Sequence, residues 1–163
     1  MKKILLIVLL LLVSWTGDAF AVAASCTQST VTKSGAMASV TFTCTASSVD
    51  NSFLTTGTAI SNSTVTAAIR GYYVSEVLIS PGGTPPTDGT AVTIKTADSP
   101  AWDILGGIGV CSATITKRFP GAAVTLPSGT LVGKTIDTTL TVSATGNSVA
   151  SAIIIVKIIM WKN

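Results

Sequence analysis

The sequence predicts an all-β protein, an antiparallel β-sandwich of jelly-roll type with about eight strands. Three observations lead there. Apolar residues alternate with polar ones at a period of two through most of the chain beyond residue 21, the spacing that lines one face of a pleated strand. Clusters of Gly, Pro, Asn, Asp and Ser interrupt the alternation at short, fairly regular intervals. Thr, Ser, Ala and Val dominate a chain in which only 10% of residues are charged, which suits strands with low-charge surfaces. The recurring apolar positions argue against disorder, and no stretch after the N-terminus carries a clear helical period.

The N-terminus reads as a bacterial-type secretory signal. Lys2 and Lys3 precede an apolar run from Ile4 to Val13, and Ala19-Phe20-Ala21 forms a small-x-small cleavage site. Residues 1–21 are therefore expected to be removed, leaving residues 22–163 as a single domain in the periplasm or outside the cell. The run is too short for a comfortable membrane span. Lipid attachment at Cys26 would be the alternative, but that cysteine stands far beyond the apolar run, and Ala23 occupies the position where a large aliphatic residue belongs. Cleavage leaves eight of the ten basic and six of the seven acidic residues, a net charge of +2. With Lys117-Arg118 the only basic pair left, neither nucleic acid nor an anionic surface is an expected partner.

Three cysteines remain, Cys26, Cys44 and Cys111, so one bridge and one leftover thiol are expected in an oxidising compartment. A hairpin centred near Ser34-Gly35 places Cys26 opposite Cys44, as a cross-strand bridge requires. Cys44–Cys111 is the rival pairing; otherwise Cys111 serves as a small buried apolar residue. The absence of histidine and the scatter of the cysteines argue against zinc.

The elements follow in order. Strand one covers about residues 26–33 and turns at Lys33-Ser34-Gly35. Strand two, residues 38–46, points Val40, Phe42 and Cys44 inward and Thr41, Thr43 and Thr45 outward. Residues 47–63 form a polar loop with room for one short element, and the glycosylation-like Asn62-Ser63-Thr64 is a chance match behind a bacterial signal. A strand is expected from Val65 to Arg70, kinked by Gly71, then a central strand from Tyr72 to Ser80. That strand sets Tyr73, Val77 and Ile79 against Tyr72, Val74, Glu76 and Leu78. Glu76 has no partner at catalytic spacing and reads as solvent-facing or ion-paired. Pro81-Gly82-Gly83-Thr84-Pro85-Pro86 ends it.

Residues 88–109 are the stretch around which the chain is organised. Asp88-Gly89 turns, Val92 and Ile94 face one way and Thr93 and Lys95 the other, and Asp98, Ser99 and Pro100 stop the strand. Asp103, Ile104 and Leu105 restart it before Gly106, Gly107 and Gly109. Asp98 and Asp103 could serve a ligand or calcium loop. Calcium loops space their oxygen ligands more closely and regularly, however, so a strand-to-strand connection over a structural Trp102 is the better reading. Val110 to Arg118 alternates with Cys111, Ala113 and Ile115 on one face; Phe119-Pro120-Gly121 turns; a short piece runs to Leu126; and Pro127-Ser128-Gly129 turns again. Residues 134–143 give the clearest alternation, Ile136, Thr138, Leu140 and Val142 opposite Asp137, Thr139 and Thr141, and residues 144–147 turn. The last strand, residues 152–161, is apolar on both faces except at Lys157 and is expected at the centre of a sheet. On an edge it would instead template self-association through the C-terminal strand, with Lys157 as gatekeeper.

Two segments, Asp88-Gly89-Thr90-Ala91-Val92-Thr93-Ile94 leading to Asp103-Ile104-Leu105-Gly106-Gly107, and Leu140-Thr141-Val142-Ser143 followed by Gly146-Asn147-Ser148-Val149, resemble small, mostly uncharacterised β-proteins common in phage and prophage genomes. These look like virion-associated sandwich subunits. The resemblance runs from Gly71 onward and implies a sandwich fold and a structural role without catalytic residues. The leader is a departure, since a particle protein assembled in the cytoplasm needs no export.

With no histidine for a triad, no G-x-S-x-G elbow, no phosphate loop and no paired carboxylates, the sequence predicts a non-enzymatic protein without cofactor. The expected function is that of an exported structural or assembly subunit, surface-exposed or virion-like. The alternative is a secreted carbohydrate- or ligand-binding module using Tyr72, Tyr73, Trp102 and Trp161. Aromatics gathered in one groove would favour binding; an apolar patch or open sheet edge would favour assembly.

Overall fold

The computed structural model describes residues 21–162 except 55–56, 60–64, 98, 121–122, 126–130 and 134. Residues 1–20 of the expected leader, Asp98, Asn62-Ser63-Thr64 and the turn at Pro127-Ser128-Gly129 lie outside the described residues. Along the chain the strands are β1 Ser25–Gln28, β2 Thr32–Ser34, β3 Met37–Thr45, β4 Thr58–Ala59, β5 Tyr73–Pro81 and β6 Thr90–Thr96. They continue with β7 Val110–Cys111, β8 Lys117–Pro120, β9 Ala123–Thr125, β10 Leu131–Gly133, β11 Leu140–Thr145 and β12 Ile153–Trp161.

All strand pairs are antiparallel. The larger sheet has the order β1-β3-β12-β5-β8, with β2 also on β3; the smaller has the order β4-β11-β6-β7; β9 and β10 form a separate hairpin. Numbering β3, β4, β5, β6, β7, β8, β11 and β12 as eight successive strands, the two sheets read 1-8-3-6 and 2-7-4-5. This is the double Greek key of a jelly roll, as the sequence predicts. The inward faces supply the core: Val40, Phe42, Ile154, Val156, Ile158 and Met160 from the larger sheet, Val92, Ile94, Leu140 and Val142 from the smaller, all nearly solvent-free. Packing these two apolar faces against each other is the main driving force for the fold.

Cys26 lies directly opposite Cys44 in the β1–β3 register, and the two form a disulfide. Such a bridge belongs to a non-reducing, extracytoplasmic setting. Cys111 is free and buried, so the rival pairing does not occur. The first predicted strand is in fact two. The β1–β3 and β2–β3 registers differ by one residue, and the slip falls between them, where the Ser29 hydroxyl accepts the Thr41 amide at 3.0 Å.

Four other expectations are corrected. Val65 to Arg70 is a single π-helical turn, Val65–Ile69, which drives Ile69 into the core. The reversal that follows uses Gly71 at φ +79°, and Gly71 donates to the Ile136 carbonyl. In β5, Val74 shares the inward face with Val77 and Ile79. A bulge leaves Ser75 without a partner on β12 and inverts the alternation, so Tyr73 faces out. The run from Val110 to Arg118 is not one strand. β7 ends at Cys111 in the smaller sheet, residues 112–116 turn a corner, and β8 begins in the larger, leaving Ile115 exposed. The corner is held by Asp88 Oδ1, which accepts the Ala113 amide, and by the Ser112 hydroxyl, which accepts the Thr114 amide. Likewise residues 135–139 cross between sheets: Thr135 bridges to Tyr73 and buried Ile136 pairs with Tyr72 before β11 starts at Leu140.

The C-terminal strand is central. β12 pairs with β3 along Ile153 to Trp161 and with β5 along Ile154 to Trp161. Its backbone groups are thereby occupied on both sides, so strand addition onto β12 as an edge is closed.

Candidate functional site

The two sheets turn different faces outward. On the smaller sheet the outward positions are Ala91, Thr93 and Lys95 of β6 and Thr141, Ser143 and Thr145 of β11; Thr93 and Ser143 join hydroxyls at 2.7 Å. That face is polar, the ordinary condition of a sheet facing water. On the larger sheet, β12 buries Ile154, Val156, Ile158 and Met160, which leaves Ile153, Ile155, Lys157, Ile159 and Trp161 facing outward. Four of those five are apolar, and they occupy the central strand, where a solvated face would be expected to be polar.

The register sets the neighbours of each. Trp161 sits between Met37 of β3 and Tyr73 of β5. Met37 is 44% and Trp161 38% exposed, and the Tyr73 and Trp161 rings lie 5.6 Å apart, centroid to centroid. One row along, Ile159 lies between Ser39 and Glu76; the next row is Thr41–Lys157–Leu78, with Arg118 beyond Leu78; the next is Thr43–Ile155–Ser80. Beside the aromatic end a shallow groove of about 200 Å³ runs between the β2–β3 hairpin and β12, lined by Thr32, Ser34, Met37, Ser39, Lys157 and Ile159. Between the sheets, beneath the disulfide, the free volume is only about 10 Å³, too little for an internal ligand.

Charge on this face is sparse. Glu76 Oε1 accepts from Arg118 Nη1 at 3.1 Å, which makes Glu76 an ion-paired surface residue. Lys157, outward and exposed, has no carboxylate within ion-pairing distance among the described residues.

The four aromatics do not gather. Tyr73 and Trp161 are neighbours on the outward face, but Tyr72 is 8% exposed, its ring flanked by Lys33 Nζ at 6.0 Å and Lys162 Nζ at 5.8 Å. Trp102 stands on the β6 hairpin of the other sheet, and its amide donates to Thr96 Oγ1.

The acidic loop is structural. Asp103 Oδ1 accepts the Leu105 amide at 3.1 Å and the Ile94 amide at 3.3 Å, and Oδ2 accepts the Gly107 amide at 2.7 Å. With both carboxylate oxygens engaged by N–H donors, Asp103 pins the chain after Trp102 onto β6. Gly109 then passes so close to the Val92 carbonyl and the Leu105 side chain that an added Cβ would collide with both. No group of three His, Cys, Asp or Glu among the described residues could hold a metal ion, and no helix among them is long and apolar enough to cross a membrane.

At the other end of the sandwich, Asn147 ties three loops. Its Oδ1 accepts the Thr87 and Val149 amides, and its Nδ2 donates to the Asn51 and Val149 carbonyls at 2.7 and 2.8 Å. Nearby, hydrogen bonds from Ser47 and Ser52 hold the Asp50 carboxyl below the usual carboxylate range.

No protein-family model, curated protein or solved structure matches the chain.

What sequence reading missed is the outward face itself. The signal was present, since residues 152–161 are apolar at both phases, but period-two analysis treats that as a strand buried on both sides.

Proposed function

We propose that the protein is an exported, non-enzymatic structural subunit that assembles with other protomers, at a surface or in a virion-like particle. The observation that carries this reading is the apolar outward face of β12, against the polar outward face of the smaller sheet. Export is supported by the leader-like residues 1–21 and by the Cys26–Cys44 bridge. The segments around residues 88–107 and 140–149, which resemble phage-type sandwich subunits, support an assembly role. So does the jelly roll, a fold used in capsids as well as in lectins, although a fold alone assigns no function.

The test is the native mass of the secreted, leader-cleaved protein by light scattering, with the same sample imaged by negative stain. A defined oligomer, ring or filament is expected; a monomer at every concentration would overturn the reading. The second reading, a carbohydrate-binding module, rests on the adjacent Tyr73 and Trp161 rings. It predicts a monomer whose tryptophan fluorescence responds to a glycan and loses that response in Trp161→Ala.

A further inference from the structure

We infer that the occupant of the larger sheet's outward face is a second copy of this chain, stacked face to face and antiparallel across a two-fold axis. The inference rests on the assembly reading and names its interface. Size is the first argument. The face is five strands wide and β12 is nine residues long. At about 4.8 Å per strand and about 3.4 Å per residue it spans roughly 24 by 31 Å, on the order of 700 Å². A stable interface takes about 800 Å² from each partner, so this face alone is of the right order. The second sheet's outward face, dominated by threonine, serine and lysine, offers nothing comparable.

Charge and shape fix the arrangement. Direct superposition of the two Lys157 rows would bring like charges together at the centre. Placing the two-fold between the Lys157 and Ile159 rows avoids this, because each row then faces the neighbouring row of the other copy. Lys157 comes over the second copy's Ile159 row, which carries Glu76, and Trp161 comes over the second copy's Ile155. The groove beside Met37 and Ile159 then faces the second copy's Ile155 and the aliphatic stem of its Lys157. The geometry is isologous: each contact occurs twice. Two stacked sheets meeting through side chains about 10 Å apart reproduce outside the protomer the packing that already holds it together inside.

The experiment is sedimentation equilibrium on the leader-cleaved protein and three variants. Wild type is expected as a dimer that dissociates on dilution. Ile159→Lys sets a cation over the second copy's Lys157 and is expected to weaken association on the order of 100-fold, since like charges then face each other across a desolvated interface. Lys157→Glu sets a carboxylate against the second copy's Glu76 and weakens association without touching the protomer core; the double variant Lys157→Glu/Glu76→Lys restores it in part, because the second change also breaks the Arg118–Glu76 ion pair. Ala91→Lys, on the outward face of the smaller sheet, leaves association unchanged. Lys157 is already exposed and charged, so that variant remains informative even if Ile159→Lys folds poorly. Association that survives both Ile159→Lys and Lys157→Glu overturns this interface and leaves the assembly reading standing. A wild-type monomer at every concentration overturns both.

Discussion

Replacing Asp103 separates a structural carboxylate from a metal-binding one. Asp103→Ala removes the acceptor for three amide donors. The Gly107 amide lies at an exposed position and can turn to water, whereas Ile94 and Leu105 are buried and their amides would be left without a partner. Two orphaned donors at about 1.5 kcal/mol each amount to about 3 kcal/mol. For a domain of about 140 residues the unfolding entropy at the midpoint is roughly 0.3 kcal/mol/K, so the melting temperature should fall by about 10 °C. Asp103→Asn keeps one carbonyl oxygen for the buried pair and turns an amino group toward Gly107, so it should lose only about 1 kcal/mol. Thermal melts followed by circular dichroism, with and without calcium chloride, decide the matter. The order should be wild type, then Asn, then Ala, with no response to calcium. An Ala variant within about 1 kcal/mol of wild type would refute the hydrogen-bond argument, and a calcium-induced rise in the wild-type midpoint would refute the structural assignment.

Two further predictions concern the cysteines. The Cys26–Cys44 bridge closes a loop with a sequence separation of 18. On chain entropy, Cys26→Ser/Cys44→Ser should cost about 3 kcal/mol and lower the calorimetric midpoint by about 10 °C; a change of only a degree or two would mean that the bridge does not constrain the unfolded chain. Cys111 is fully buried, and that burial pushes its thiol from an ordinary 9.0 up to about 11, with Lys117 opposing and Asp88 reinforcing. The folded chain therefore holds this proton where the unfolded chain releases it. The contribution is present in full below pH 9 and is lost as pH rises through 11, about 3 kcal/mol in all. Urea unfolding across that window should show the loss in wild type and a shallower slope in Cys111→Ala; parallel slopes would exclude the thiol as the source.

Much of the molecule was legible in its residues, for local reasons. The alternation of Val40, Phe42 and Cys44 against Thr41, Thr43 and Thr45 fixes which face of β3 is buried, because a strand's side chains repeat every two residues. The disulfide was readable because Cys26 and Cys44 lie on either side of one hairpin turn, and symmetry about it brings them opposite. The jelly roll followed from many short strands divided by turn residues. The Asp103 connection was legible as a connection, although the three amides it serves were not, since one of them comes from β6 nine residues earlier.

What only the tertiary structure decided is where alternation ceases to mean a single strand. Residues 110–118 and 135–143 alternate without a break, yet each crosses between sheets. A corner needs only a few residues turned by hydrogen bonds such as those of Asp88 and Ser112, and these leave no trace in the apolar period. The bulge at Ser75 inverts β5 in the same unannounced way. So it is with β12, whose two phases are both apolar in sequence apart from Lys157. Pairing with β3 and β5 buries one phase against the second sheet and turns Ile155, Ile159 and Trp161 outward, because the far side of a sheet is set by what packs on the near side.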